Sequence, residues 1–461
     1  MKRFSVLFAG LAGLVLCLPS FVSAQEIPVT MATPTASTGP SLAELAARQT
    51  ELEAKLAAVE APSVETRLSP SGLRFSTADG YELLLKSLVQ TDGNFYLEDD
   101  KAPKTNQLKT RRVRLWLNAK FAKHTSLRIQ PDFSQGKFSI LDSYLEVTPW
   151  QWLGLRAGKF KTPVGLERLL SAPTLMFPDT SLTSTLTPNR DVGALIFGTL
   201  GKGLLVYEAG IFNGVVDGGN GDLDNTDDKD LVGRVFAVPF ISSENPFLRG
   251  LGLGAGGSVG HQRGSYFEKT AFAPVQNLAQ LKSAGGTTFF SFLSGSTYAG
   301  TVVADGANQR LAPQGWYYVG PFGLAAEYVQ TAHRVKRAGQ SEDIRFDAWS
   351  TTAGFVLTGE KAAPGKSVVP DSPVGKGIGA WQVVGRLGSV IVDKDAFPKY
   401  ANPARSARAA RAAGVALNWY ATANLRTSLA YEKTRFESAD AMVPAFPAEN
   451  FLLARLQLGF L

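Results

Sequence analysis

The chain has 461 residues, of which only 19% are charged, with a formal net charge of +7 and a single cysteine. So mild a positive charge, without basic runs, gives no argument for nucleic acid as a partner, and one cysteine excludes a disulfide framework. No segment beyond the N-terminus offers about eighteen consecutive apolar residues, which excludes a bundle of membrane-crossing helices but not a β-barrel.

The opening stretch MKRFSVLFAGLAGLVLCLPSFVSA carries Lys2 and Arg3, an apolar run from Phe4 to Leu18, and Val22-Ser23-Ala24 before Gln25. That order predicts a secretory signal peptide over residues 1–24; the apolar run is short for a membrane anchor. Cys17 follows Leu16, which is not small, so lipidation is not expected. Residues 25–40, rich in Thr, Pro, Ala and Ser, read as a flexible lead. Leu42, Leu45, Gln49, Leu52, Leu56 and Val59 then recur at alternating spacings of three and four, a heptad seam with one polar position. Residues 41–60 therefore predict a short oligomeric coiled coil, with a frayed amphipathic helix as the alternative, and Pro62 ends it.

From about residue 72 to the C-terminus the period changes to two. In RRVRLWLNAKF, Val113, Leu115, Leu117, Ala119 and Phe121 share one face, and Arg112, Arg114, Trp116, Asn118 and Lys120 the other. ILDSYLEV sets Leu141, Leu145 and Val147 against Asp142, Tyr144 and Glu146, and the closing ENFLLARLQLGFL sets Leu456, Leu458 and Phe460 against Arg455 and Gln457. Sixteen such segments are predicted between residues 82 and 460, among them one over 313–319. Short connections near residues 123, 201–203, 320–323 and 421–424 mostly alternate with long ones at 161–190, 213–230 and 262–312; 359–377 is long on the short-turn side. A soluble sandwich would bury the apolar faces between two sheets. With a secretion signal, no disulfide framework, and Trp150, Trp152, Tyr317, Tyr318, Trp419 and Tyr420 near segment ends as interfacial girdles, lipid is the better partner for those faces. The expected fold is all-β: a sixteen-stranded antiparallel transmembrane β-barrel with a short N-terminal coiled-coil helix.

On this facing the lumen receives Arg112, Arg114, Lys120, Arg128, Arg156, Arg234, Arg386, Arg426 and Arg455 against Asp132, Asp142, Glu146, Glu208, Glu327 and Glu432. Nine cations against six anions favour anions in a narrow channel. Alternatively, most of them pair across strands and only hold the wall.

Other chemistries are not expected. Gly252, Gly254 and Gly257 spell G-x-G-x-x-G without opening a helix, and APGKS has Glu360 where a phosphate-binding loop needs glycine. DGGNGDLDNTDDKD, residues 217–230, lacks the glycine and closing Glu of a calcium loop and reads as a solvated surface loop. His124, in a predicted turn, and His261 and His333, at predicted strand ends, form no zinc or catalytic set. No cofactor, metal or enzymatic activity is expected.

TRRVRLWLNAKF, ILDSYLEV, LRAGKFKTPVGLE with TPNRDVG, GPFGLAAEY, FVLTGE, IGAWQVVGRL, GVALNWYATANLRTSLAYEK and ARLQLGF, in this order and spacing, carry a family resemblance. From about residue 110 onward the chain resembles the phosphate-selective porin O and P family of outer-membrane channels. The resemblance implies a sixteen-stranded barrel, a homotrimer, and a third loop folded into the lumen as a constriction. It implies that Arg111 and Arg112 match a basic pair that contacts anions, Asp142 a nearby acid, and Arg168 a loop lysine. Two departures stand out: an uncharged residue near Thr180 where a loop arginine is expected, and almost no positive charge in FEKTAFAPVQNLAQLKSAGGTTFF of the fifth loop.

The expected function is passive diffusion of small solutes, anion-preferring and extending to phosphate or polyphosphate, through a pore narrowed by the loop 161–190. The candidate anion contacts are Arg111, Arg112, Arg114, Asp142, Lys161, Arg168, Asp179 and Arg190, with Leu169, Leu170 and Leu175 packing the loop to the wall. A weakly selective or sugar-permeable pore and an envelope-tethering structural barrel are the alternatives. The expected location is the outer membrane of a Gram-negative bacterium, with the coiled coil in the periplasm. The expected partners are two further copies of the chain, outer-membrane lipid and lipopolysaccharide, and small anionic solutes.

Overall fold

The alternation of side chains becomes two differently dressed surfaces of one sheet. The computed structural model describes residues 40–58, 64–97, 104–222, 227–264, 275–444 and 446–460. The expected signal peptide, nearly all of the flexible lead, Cys17 and Leu461 lie outside the described residues.

Sixteen strands form an antiparallel ring: β1 (Glu82–Leu97), β2 (Gln107–Phe121), β3 (Thr125–Asp132), β4 (Ser139–Trp150), β5 (Leu153–Lys161), β6 (Arg190–Leu200), β7 (Leu205–Phe212), β8 (Asp230–Ala237), β9 (Leu251–Arg263), β10 (Val303–Val319), β11 (Phe322–Arg337), β12 (Gln340–Val356), β13 (Ala380–Val392), β14 (Ala407–Tyr420), β15 (Leu425–Ser438) and β16 (Glu449–Phe460). Each pairs with its neighbour in sequence, and β16 closes the ring on β1, from Asn450 opposite Leu97 to Phe460 opposite Ser87. Closure leaves no strand of the ring without a neighbour on each side, which lipid requires because it cannot hydrogen-bond a free backbone. A hairpin of Glu65–Ser69 and Gly72–Ser76 pairs with the first residues of β1, Leu73 opposite Leu85, just beyond the end of β16.

Every predicted segment is a strand. The largest difference is β10, which starts at Val303 rather than near residue 313. Its first half was illegible because the register shifts between Ala304 and Asn308 and Gly306 adopts φ 139°, so the two-residue period is broken there.

Leu115, Leu145, Leu155, Ile211, Val259, Leu387, Leu429 and Leu456 are exposed, whereas Arg112, Gln130, Asp142, Arg386, Arg426 and Arg455 are buried. The apolar belt is thus on the outside and the polar face inside, the reverse of a soluble sandwich. Trp150 stacks on Trp152 at 5.1 Å and Trp381 on Trp419 at 5.7 Å, both pairs near short turns. Tyr420 departs from the girdle expectation: it is buried and its hydroxyl donates to Gln382 Oε1 at 2.9 Å.

Two bulges correct the facing. Gln90 pairs with Arg112 but Thr91 with Thr110, so Arg111 is an extra residue. Gln130 pairs with Asp142 but Pro131 with Ile140, so Leu141 is extra, and it is buried rather than lipid-facing. A bulge re-aims one side chain without moving the rest of the strand, and sequence alternation cannot register it.

The connections fold in several directions. The start of the acidic stretch expected as a solvated loop turns to the interior: Gly218 N–H donates to Thr187 O at 2.9 Å, and Asp217 is buried against Arg310 (2.5 Å) and His333 Nε2 (2.9 Å). His333 accordingly lies within β11 and serves this cluster rather than a strand end. The connection from β12 to β13 also turns inward, with Val368 packed against Val356, Ala380 and Tyr420 and the Ser367 hydroxyl donating to Pro173 O at 3.3 Å.

The N-terminal unit contains helix α1 (Leu42–Ala58). Ser41 and Glu44 cap it reciprocally, Ser41 N–H to Glu44 Oε2 at 2.9 Å and Glu44 N–H to Ser41 Oγ at 3.2 Å. Leu42, Leu45 and Leu52 of the predicted seam are exposed.

Candidate functional site

The residues between β5 and β6 run inside the ring, and the wall holds them by their backbone. Entry is set by Gln314, whose Nε2 donates to Val164 O at 2.8 Å, and by Glu327, which accepts from Leu166 N–H at 2.6 Å and Glu167 N–H at 3.3 Å. The short helix α2 (Leu166–Leu169) starts there. Arg426 then donates to Leu175 O at 2.8 Å and Met176 O at 3.0 Å, Asn418 to Met176 O at 2.9 Å, Arg455 to Pro178 O and Arg386 to Asp179 O. Strands β10, β11, β13, β14, β15 and β16 thus all grip one loop. Buried carbonyls need donors, and guanidinium groups supply them in a fixed fork.

Close approach depends on glycine at two wall positions. A Cβ on Gly256 would lie 2.4 Å from Val164 O, and one on Gly414 would lie 2.9 Å from the Phe177 ring. Phe177 packs with Val384, Ala416, Ala430, Phe451 and Leu453. Of the leucines expected to pack the loop, Leu175 is buried, but Leu169 and Leu170 remain half-buried; Leu166 and Phe177 take that role instead. The expectation missed them because proline-punctuated loops have no period from which to read a facing.

Two cavities of some size border this loop among the described residues. The first, about 280 Å³, is lined by seven cations, Arg112, Arg114, Arg128, Arg156, Lys161, Arg168 and Arg190, and three acids, Asp142, Glu167 and Glu208, with Trp116, Tyr144, Phe160, Leu169 and Leu170 among the others. The second, about 450 Å³, is lined by Arg111, Arg168, Asp179, Thr180, Asp217 and Lys282 among others. Arg168 and Thr180 line both. All eight candidate residues therefore border one cavity or the other, and the bulge puts Arg111 at the second and Arg112 at the first.

Their partners differ. Arg190 pairs with Asp142 at 2.6 Å, both buried, and Arg114 with Asp132 at 2.7 Å. Lys161 donates to Leu170 O at 2.5 Å and Leu169 O at 3.4 Å, tying the loop's start to its helix. Arg168 Nε donates to Ser184 O at 3.0 Å. Arg112 donates to Gln90 Oε1 at 2.6 Å, and its Nε is buried without a partner. Arg111 lies 3.9 Å from Asp179. Burial alone would raise the Asp179 carboxyl, but the guanidiniums of Arg111, Arg455 and Arg112 outweigh it and hold the group well below the usual carboxylate range.

Cross-strand pairing accounts for part of the lumen charge. Arg114, Arg156, Arg234, Arg386 and Arg455 pair with Asp132, Glu146, Glu208, Glu432 and Asp92, and Lys120 with Glu82. Among the described residues Arg112, Arg128 and Arg426 have no such carboxylate, and Arg426 is engaged by the loop carbonyls. Arg128 and Arg156, placed inward by alternation, line the first cavity although they were not among the eight candidates.

Comparison with known proteins sets this geometry in context. The chain is similar in structure to the loop L8 deletion mutant of OmpT, an outer-membrane protein of Vibrio cholerae, at 13% identity and TM-score 0.52, covering 82% of this chain and 99% of that one. The trimer form of in-vitro folded OmpT matches at 13% identity and TM-score 0.51, covering 83% and 100%. An anion-selective porin from Comamonas acidovorans matches at 12% and 0.51, covering 82% and 99%. At these identities the likeness is one of fold. No curated protein matches the chain. The sequence profile described as phosphate-selective porin O and P matches residues 85–460, which is most of the chain and the whole of the ring after its first three residues. The protein is therefore an outer-membrane channel, and it belongs to the phosphate-selective porin O and P family.

Proposed function

We propose that the channel passes small anions in preference to cations, inorganic phosphate included, and that the loop 161–190 narrows its pore. The observation that carries this reading is the charge of the first cavity, seven cations against three acids, with Arg112 buried and only partly satisfied. In a confined channel such an excess lowers the energy of an anion and raises that of a cation. The loop supports the constriction reading because six strands fix it inside the ring, and two cavities that border it share Arg168 and Thr180 in their linings. The eight candidate residues act in this reading as the lining of that passage, Arg111 and Arg112 on its two sides, Asp142 and Asp179 as counter-charges.

The chain works in this reading as a homotrimer in the outer membrane of a Gram-negative bacterium, its belt in contact with lipid and lipopolysaccharide, after removal of the signal peptide. The trimer form of the Vibrio cholerae relative supports the assembly, and the exposed Leu42, Leu45 and Leu52 suit a periplasmic coiled coil. Reconstitution in planar bilayers tests the proposal: stepwise conductance is expected, with chloride current reduced by added phosphate. A silent membrane contradicts the channel, and current indifferent to phosphate contradicts the phosphate part alone.

A further inference from the structure

We propose that the first cavity is a binding subsite for carboxylates that carry an aromatic body, and that such organic anions occupy it more tightly than inorganic oxyanions do. The proposal rests on the anion-conducting reading above and narrows its substrate class.

Charge comes first. Arg112 lines the cavity, is 6% exposed and has no carboxylate partner among the described residues, and its enclosed Nε has no hydrogen-bond partner. A buried guanidinium with an idle donor favours an anionic acceptor, and its planar fork matches a carboxylate. Among the described residues Arg128 also has no ion pair; its Nε donates to Asn118 Oδ1 at 2.8 Å. These two cations stand on β2 and β3, on one side of the space.

Apolar surface comes second. Leu169 and Leu170 stay half-buried on the cavity lining, unlike Leu166, Leu175 and Phe177 of the same loop, which are buried. Inorganic phosphate has no apolar surface with which to cover two leucines; a ring has. Planar surfaces complete the set: the Arg156 guanidinium lies 4.9 Å from the Tyr144 ring and 5.3 Å from Phe160, and Arg128 lies 5.7 Å from Tyr144. Stacked guanidinium and aromatic planes accept a further flat group. About 280 Å³ is close to the lower end of ligand pockets, roughly 300 Å³, a size for one ring rather than several.

The test uses the full-length protein in planar bilayers carrying chloride current, titrated separately with benzoate, acetate and phosphate. Benzoate and acetate share charge and head group, so their ratio isolates the ring. Benzoate is expected to halve single-channel current at about tenfold lower concentration than acetate, and below phosphate, as when about 60 Å² of apolar surface leaves water at about 25 cal/mol per Å². The double variant Leu169→Ser, Leu170→Ser should lose most of that ratio. Equal block by benzoate and acetate, stronger block by phosphate, or an unchanged ratio in the variant overturns the inference. The wild-type comparison stands even if the variant fails to insert. The zero-current potential of the same membranes separates the two readings: an anion-selective sign with no benzoate preference removes only the inference, and a cation-selective sign removes both.

Discussion

Arg112 is held by one neutral acceptor and sits among other cations with no carboxylate paired to it among the described residues, so its charge is poorly compensated. Removing a unit charge some 15 Å or less from a permeating ion, at an effective dielectric of about 20, changes its energy by about 1 kcal/mol, roughly fivefold in permeability. Arg112→Gln should therefore lower chloride permeability and raise potassium permeability by roughly that factor each, so that their ratio, read from zero-current potentials, falls about 25-fold; Arg114→Gln should do less, because it frees Asp132 as well. Two acids of the loop are shifted in opposite directions. Burial raises the Glu167 carboxyl, and Arg386 and the Ser181 hydrogen bonds offset it incompletely, whereas Asp179 is held low. As pH falls from neutrality, Glu167 takes up its proton at a higher pH than an ordinary glutamate while Asp179 stays charged. The passage then becomes more positive, and anion selectivity should rise with falling pH. Glu167→Gln should flatten that rise; a pH profile identical to wild type contradicts the assignment. Glu327, Arg168 and Arg386 surround the group and remain in the variant.

At the scale of elements, the loop 161–190 and the strands opposite it are one unit. Gly256→Ala places a Cβ 2.4 Å from the Val164 carbonyl oxygen, so loop or strand must shift. The expected cost is about 1–3 kcal/mol, the usual range for overpacking, seen as a lower thermal midpoint by circular dichroism. Gly385→Ala, with nothing within 4 Å of its Cβ, should leave the midpoint where it is. The contrast separates a requirement for space from a general effect of strand glycines.

Elements also show how far the sequence reaches. Alternation places sixteen strands and most of their facings because lipid outside and water inside impose opposite chemistries on successive residues. It fails at Arg111 and Leu141, where one inserted residue re-aims a side chain, and in the loops, where no period exists. Arg111 was a candidate through family resemblance alone; the bulge supplies the physical reason it reaches the interior. Asp217 reads as a solvated acid in DGGNGDLDNTDDKD because its partners, Arg310 and His333, are distant in sequence. Arg386, Arg426 and Arg455 are legible as inward cations, but their use as donors to loop carbonyls is not, since nothing in a strand's period shows what stands across the lumen.

At the scale of the whole molecule, a closed ring with an apolar exterior and an inward-folded loop combines a membrane fold with an interior cavity lined by seven cations and three acids. Deleting residues 41–60 should leave barrel folding and conductance intact while lowering the thermal stability of the proposed trimer, checked by native gel migration on heating. Unchanged trimer stability would remove the coiled coil from the assembly. The central claim is that this interior selects by charge, and one measurement addresses it directly: the zero-current potential of the reconstituted wild-type channel across a tenfold potassium chloride gradient. A potential of the sign set by chloride is the predicted result, and a potential of the sign set by potassium contradicts the account.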